Sequence, residues 1–213
     1  MTSAPTKPRL GRPPAVKDPR THVMKRAAEL FAGRGFATSS LNELAEAMGY
    51  SKAVVYNYFS SKQDLFDSII IDLLERLNKE VGEAVAAEQK SGEKLRTFMV
   101  AHARFFEANY FGFVAMLAGF RGIEDTQFGE RAMELRDRYE QLLRDIVIEG
   151  IESGAIREHD VATITRMVLS MLNWMSRWFK PGMKKTAEEV ALEYYDVFLA
   201  GLRPTPAKRK PRK

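Results

Sequence analysis

The sequence predicts an all-α protein in two parts, an N-terminal three-helix helix-turn-helix domain and a C-terminal helical bundle. Three observations predict it. Apolar residues recur at helical spacing through most of the 213 residues. No stretch alternates apolar and polar with period two for long, so no sheet is expected. The segment from Ser39 to Lys62, SSLNELAEAMGYSKAVVYNYFSSK, reads as helix, glycine turn, helix, with a further helix following at once.

Residues 1–17 are basic, proline-rich and poor in large apolar groups, and are expected to be a disordered arm. A first helix is expected over 19–34, with Val23, Ala27, Leu30 and Phe31 inward. The second runs from Ser40 to Met48, placing Leu41, Leu44, Ala45 and Met48 at i, i+3, i+4 and i+7. Gly49 ends it, since glycine takes the left-handed conformation without a Cβ clash. Ser51 is expected to cap the third helix, 52–59, through its hydroxyl. The fourth begins near Ser61 and continues to about Ala87, with Leu65, Phe66, Ile69, Leu73, Leu77 and Val81 on one stripe. Ser91-Gly92 reads as a break. Further helices are expected over 93–108, 111–120, 129–153, 160–179 and 186–200, punctuated by Gly122, Gly154 and Pro181-Gly182. The division expected is a basic arm (1–17), a helix-turn-helix domain (18–64), a ligand-binding and dimerisation domain (65–203) and a basic disordered tail (204–213).

Composition narrows the function classes. The chain is 45% hydrophobic and 29% charged, an ordinary globular balance. It has no cysteine, which excludes disulfides and thiolate metal sites and fits a cytoplasmic location. No apolar run is long enough to span a bilayer, and the N-terminus lacks the apolar core of a secretory signal. The net charge of +5 is unevenly placed: 9 Lys/Arg stand against 4 Asp/Glu in residues 1–60, 19 against 24 in 61–203, and 5 against 0 in the tail. Basic character therefore sits on the helix-turn-helix and both ends, the footprint of a protein that touches phosphate with one region. His22, His102 and His159 are scattered, and no nucleophile–base, paired-carboxylate or metal spacing accompanies them. Catalysis, metal and cofactor are not expected.

A helix-turn-helix presents the first turn of its second helix to the major groove. Lys52 can donate to guanine O6 or N7, and Ala53 and Val54 can touch a thymine methyl. Tyr56, Asn57, Tyr58 and Lys62 are expected along the sugar-phosphate flank; core packing is the alternative for Tyr56 and plain solvation for Lys62. Ser40 and Asn42 are expected to grip another phosphate at the start of the second helix. In the leader, Gly11-Arg12-Pro13 with Arg9 resembles an AT-hook core. Arg9 and Arg12 would enter a narrow A·T-rich minor groove; a flexible basic leader is the equal alternative. The last residues, from Lys208 to Lys213, read as a nonspecific electrostatic tail.

The order of residues resembles a known family. Ala27-Ala28-Glu29-Leu30-Phe31, Gly35-Phe36, Leu44-Ala45, Gly49-Tyr50-Ser51-Lys52, Val55-Tyr56-Asn57-Tyr58-Phe59, Ser61-Lys62 and Leu65-Phe66 resemble the DNA-binding signature of TetR-family bacterial transcriptional regulators. The resemblance implies the same DNA roles for these positions, an all-helical effector domain, a homodimer and a palindromic double-stranded operator. One departure stands out: many relatives carry a small residue and a threonine where this chain has Ala53 and Val54, so no operator sequence is transferred.

The C-terminal half is unusually rich in Met and Phe, as a chamber between helices would be. Its expected ligand-facing residues are Phe98, His102, Phe105, Phe113, Met116, Phe120, Arg166, Met171, Trp174 and Arg177; a plain helical core is the alternative for any one of them. The run from Met171 to Gly182, with Ala187-Glu188-Glu189-Val190 and Phe198-Leu199-Ala200-Gly201-Leu202, resembles a TetR subgroup that represses lipid, sterol or aromatic-acid breakdown genes in response to acyl-CoA thioesters. That implies an apolar small-molecule effector, with Trp174 stacking on a ring and Arg166, Arg177 or Lys180 pairing with phosphate. Trp178, Tyr194 and Phe198 are expected at the seam between two copies. The alternatives are a repressor of an efflux system that answers a hydrophobic drug and an architectural DNA-binding protein.

Overall fold

The computed structural model describes residues 18–119 and 126–202. Helix α1 (Pro19–Arg34) opens where Asp18 accepts from Thr21 N at 3.1 Å and Pro19 supplies a preset φ. Helices α2 (Leu41–Ala47) and α3 (Lys52–Tyr56) follow, and α4 (Lys62–Ala87) runs on from them, capped by Ser61. The remainder is α5 (Ser91–Ala108), α6 (Tyr110–Gly119), α7 (Gly129–Glu152), α8 (Val161–Trp174), a 3₁₀ turn (Met175–Arg177) and α9 (Ala187–Leu202). Among the described residues there is no strand.

Three expected boundaries moved, each for a visible reason. Ser91-Gly92 begins α5 rather than breaking the chain: a β-carbon on Gly92 would stand 3.3 Å from Ala155 Cβ, so the glycine serves a close approach of the chain beside α7. Helix α3 stops at Tyr56, because Phe59 must turn inward to its fully buried site. The helix expected over 160–179 tightens after Trp174. Ser176 Oγ donates to Asn173 O at 2.7 Å, and the chain dips so that Phe179 packs edge-on against Phe106 at 5.6 Å.

The core is continuous through both parts. Val23, Ala27 and Phe31 of α1 meet Leu65, Phe66 and Ile70 of α4, and α4 carries the same apolar stripe onward through Leu73, Leu77 and Val81 into the bundle of α5 and α7. The expected boundary at 64/65 therefore lies inside one unbroken helix, so the reading head and the bundle share α4 as a rigid lever. Helix α6 touches α1 on one side and the 3₁₀ turn on the other. Helix α9 lays Val190, Ala191, Tyr195 and Phe198 on the bundle, chiefly against α5, and Arg104 holds Glu188 by two 2.6 Å hydrogen bonds.

Candidate DNA-reading head and effector chamber

The turn between α2 and α3 is built by local chemistry. Ser40 Oγ accepts from Glu43 N at 3.2 Å while Ser40 N donates to Glu43 Oε2 at 2.8 Å, a complete capping box. Gly49 at φ 68° lets Tyr50 N close onto Ala45 O at 2.9 Å. Tyr50 is buried and meets His22 edge-on, fixing α3 against α1. Val55 and Phe59 anchor α3 from beneath.

What α3 leaves outward is Ser51, Lys52, Ala53, Tyr56, Asn57 and Tyr58. Tyr56 and Tyr58 are 49% and 42% exposed, so Tyr56 is outside the core. Asn42 is exposed on α2. Four expectations change. Val54 is half-buried and packed on the core, which leaves Lys52 and Ala53 as the exposed side chains of the first turn of α3. Ser51 is the N-cap residue of α3 but makes no side-chain cap bond. Ser40 has its backbone N–H and its acceptor lone pair committed to Glu43, whose carboxylate also occupies the positive end of α2; of its own groups only the hydroxyl proton is left to offer a phosphate. Lys62 does not point outward: its ammonium donates to Phe36 O at 2.8 Å and Ser39 O at 3.0 Å and lies 4.2 Å above the Phe36 ring. It ties the start of α4 to the α1–α2 connection, and the phosphate role is corrected to a structural one. Arg9 and Arg12 lie outside the described residues.

The residues expected to face an effector fall into two groups on either side of α6. Phe98, His102, Phe105, Phe113 and Met116 are buried together. Their rings form a chain: Phe98 meets Tyr139 at 5.1 Å, His102 meets Phe113 at 5.3 Å, and Phe113 meets Phe106 at 5.3 Å. His102 Nδ1 stands 2.8 Å from Tyr139 Oη, and Nε2 is buried without a hydrogen-bond partner among the described residues. Burial pulls the imidazole down to about 3 and pushes the Tyr139 phenol up, so both groups are neutral at physiological pH.

Arg166, Trp174 and Arg177 are exposed and share a groove of about 400 Å³ with Leu117 and Asn173. Arg177 lies 5.9 Å from the centre of the Trp174 ring, and Met171 is half-buried beside them. The single chamber expected from the sequence is thus an interior and an outer groove, separated by α6: Met116 faces inward and its neighbour Leu117 lines the groove. Phe120 lies outside the described residues.

Of the expected seam, Trp178 is 39% exposed and Tyr194 half-buried, but Phe198 is buried in the chain's own core, since α9 turns that side to the bundle. The sequence reading missed Tyr139, Val197 and Gly119. Tyr139 sat on a stripe with Ala132, Leu135, Leu143 and Ile146 that its charged neighbours obscured. Val197, 79% exposed on α9, looked like any other apolar helix position.

Among the described residues no helix is long and apolar enough to cross a membrane, and no cluster of His, Asp or Glu is placed to hold a metal. Two family descriptions match: "Bacterial regulatory proteins, tetR family" over residues 23–69 and "Tetracyclin repressor-like, C-terminal domain" over 88–202. The crystal structure of PfmR, a TetR family transcriptional regulator from Thermus thermophilus, is 43% identical with a TM-score of 0.78, covering 85% of this chain and 99% of that one. The HTH-type transcriptional repressor KstR2 of Rhodococcus jostii is 24% identical over 184 residues, 86% of this chain and 90% of the relative. AibR, solved in complex with isovaleryl coenzyme A and operator DNA, shares the fold at a TM-score of 0.75 and 22% identity, covering 88% of this chain and 99% of that one. With a helix-turn-helix at one end of α4 and the matched C-terminal domain at the other, the chain belongs to the TetR family of bacterial regulatory proteins and is a DNA-binding transcriptional regulator of that type rather than an enzyme.

Proposed function

We propose that this regulator acts in the cytoplasm as a homodimeric repressor on a palindromic operator and is released by an acyl-CoA thioester. The observation that carries the effector class is the pairing of a cationic, aromatic groove with an apolar interior across one helix. Trp174 offers a face to an adenine ring, Arg166 and Arg177 offer charge to phosphates, and Leu117 lines the groove on α6 beside buried Met116. No carboxylate lines the groove, which disfavours a cationic drug. The relative solved with isovaleryl coenzyme A supports the same class.

On DNA, Lys52 and Ala53 read base edges while Asn42, Tyr56, Asn57 and Tyr58 hold phosphates, with Ser40 contributing its hydroxyl. The basic leader with Arg9 and Arg12 and the tail after residue 203 add salt-dependent affinity. The effector acts by favouring a conformation in which α4 holds the heads at the wrong separation, since equal affinity for both states would shift nothing. A gel shift on the protein's own promoter region with a panel of acyl-CoA thioesters tests this. Release by one thioester, and not by free CoA or the free acid, supports it; a specific complex that no thioester disturbs removes the effector assignment.

A further inference from the structure

We infer that His102 reads a neutral carbonyl oxygen of the effector from within the interior, acting as a hydrogen-bond donor through Nε2. The inference rests on the effector reading above and assigns a residue and an atom to it.

The argument begins with an unpaired atom. His102 is 1% exposed, and its Nε2 has no hydrogen-bond partner among the described residues. Leaving a buried polar group unpaired costs about 1–3 kcal/mol, and native interiors rarely keep one without a use. The rings of Phe98, Phe113 and Tyr139 surround it, at centroid distances of 6.4, 5.3 and 5.8 Å.

Proton bookkeeping then fixes what Nε2 offers. The neutral imidazole carries one proton, on Nδ1 or on Nε2. With the proton on Nδ1, it points at Tyr139 Oη. The phenol O–H then has no acceptor among the described residues, and the Nε2 lone pair is also bare among them. With the proton on Nε2, the phenol donates to Nδ1 across 2.8 Å, and the Nε2 N–H and the phenol oxygen's lone pairs lack partners among the described residues. Each arrangement makes one hydrogen bond and leaves one donor and one acceptor unpaired, so bond strength decides: the phenol is the stronger donor and the imidazole nitrogen the stronger acceptor, which favours O–H donating to Nδ1. Tyr139 therefore acts as the positioning residue: it selects the tautomer that leaves an N–H on the buried Nε2, among the rings of Phe98 and Phe113.

The chemistry of the occupant follows. An N–H asks for an acceptor. A carboxylate would enter an aromatic enclosure without a cation and lose its hydration, so a neutral oxygen is preferred. In an acyl thioester the carbonyl oxygen is the acceptor that adjoins the apolar chain. The same contact explains discrimination against the free acid, which brings a charge, and against free CoA, which brings no acyl carbonyl.

The test compares a long-chain acyl-CoA thioester with the S-alkyl-CoA thioether of equal length, in which a methylene replaces the carbonyl. Binding and operator release are measured on the full-length wild type, His102→Phe and His102→Gln, each first checked by thermal melting. The thioester should bind the wild type roughly tenfold more tightly than the thioether. His102→Phe should remove that preference, and His102→Gln, whose amide can still donate, should keep part of it. Equal affinities of the two probes for the wild type, or a preference that survives in His102→Phe, overturn the inference while leaving CoA derivatives as effectors. If neither probe binds, the thioester reading fails on its own, and nitrogen-15 spectra of the histidine ring decide the atom: protonated Nε2 with bare Nδ1 supports a carbonyl of another effector class, and protonated Nδ1 overturns the inference.

Discussion

Phe66 closes directly over Gly119: a β-carbon on Gly119 would press on Cζ of Phe66 and stand 2.8 Å from its Cε1. Helices α6 and α4 therefore meet here with only the Phe66 ring between them. Phe66 in turn meets Phe31 at 5.6 Å and Phe36 at 4.7 Å, so its ring joins the end of α6 to the segment that leads into the helix-turn-helix. Helix α6 is also the wall between the interior and the outer groove. A ligand that moves α6 thus moves a ring already wedged into the reading head.

Gly119→Ala tests that relay. Overpacking a filled core costs about 1–3 kcal/mol, against a helix-propensity gain of up to about 1 kcal/mol. The variant should melt lower and bind operator more weakly without any effector. Adding Phe66→Leu makes room and should recover operator binding. Denaturant melts and gel shifts on the single and double variants read both effects. A Gly119→Ala protein that loses stability yet keeps full operator affinity would break the proposed path.

Lys62→Met separates structural from electrostatic roles in the head. Hydrogen bonds from a charged donor contribute about 1.5–3 kcal/mol, and Lys62 spends its own on the carbonyls of Phe36 and Ser39. The variant should lose stability on that scale. It should keep the wild-type slope of log affinity against log salt, because a lysine that neutralised a phosphate would lower that slope by about 0.9. Titrations at several salt concentrations discriminate: a slope reduced by that amount returns Lys62 to the DNA surface.

The fate of Lys62 shows where the sequence could be read and where it could not. Helix positions and their buried stripes follow from periodicity, so Val23, Phe31, Leu44 and Leu65 were legible as core. The glycine turn at Gly49 was legible because only one residue type takes its φ cheaply. A lysine beside a groove, by contrast, reads as a phosphate contact unless the three-dimensional position of Phe36 O, 26 residues away in sequence, is known. The residues expected to meet an effector could be listed from their apolar and cationic types, but which of them lie inside and which in the outer groove depends on which neighbour, Met116 or Leu117, faces in. Phe198 and Val197 differ by one position, and only the docking of α9 decides which is core and which is outward.

Val197→Glu probes the outward side of α9. Val197 is 79% exposed, with half-buried Tyr194 one turn before it and Trp178 and Met167 exposed on the adjoining segments. In a two-fold seam each position meets the partner's copy of the same patch, so one substitution inserts two charges. The variant should shift from dimer to monomer in analytical ultracentrifugation and lose cooperative operator binding, while its helical content stays unchanged. A Val197→Glu protein that sediments as the wild-type dimer places the seam elsewhere.

The buried imidazole gives stability a distinct pH dependence. In the folded chain burial holds His102 neutral down to about 3, whereas an unfolded histidine takes its proton near ~6.5. Above that ordinary value both states are neutral and His102 contributes no pH dependence. Below it the unfolded chain binds a proton that the folded chain refuses, so stability falls as pH falls, across the window from ~6.5 to about 3. At pH 5 the gap of roughly 1.5 units corresponds to about 2 kcal/mol. His102→Gln has nothing to titrate there. It should be the less stable protein at pH 7, through lost packing on Phe98 and Phe113, and its deficit should narrow by about 2 kcal/mol at pH 5. Urea melts of both proteins at the two pH values measure the difference, in which all other titrating groups cancel to first order. A deficit that stays constant would mean that His102 accepts its proton inside the fold, and that the interior admits water to Nε2.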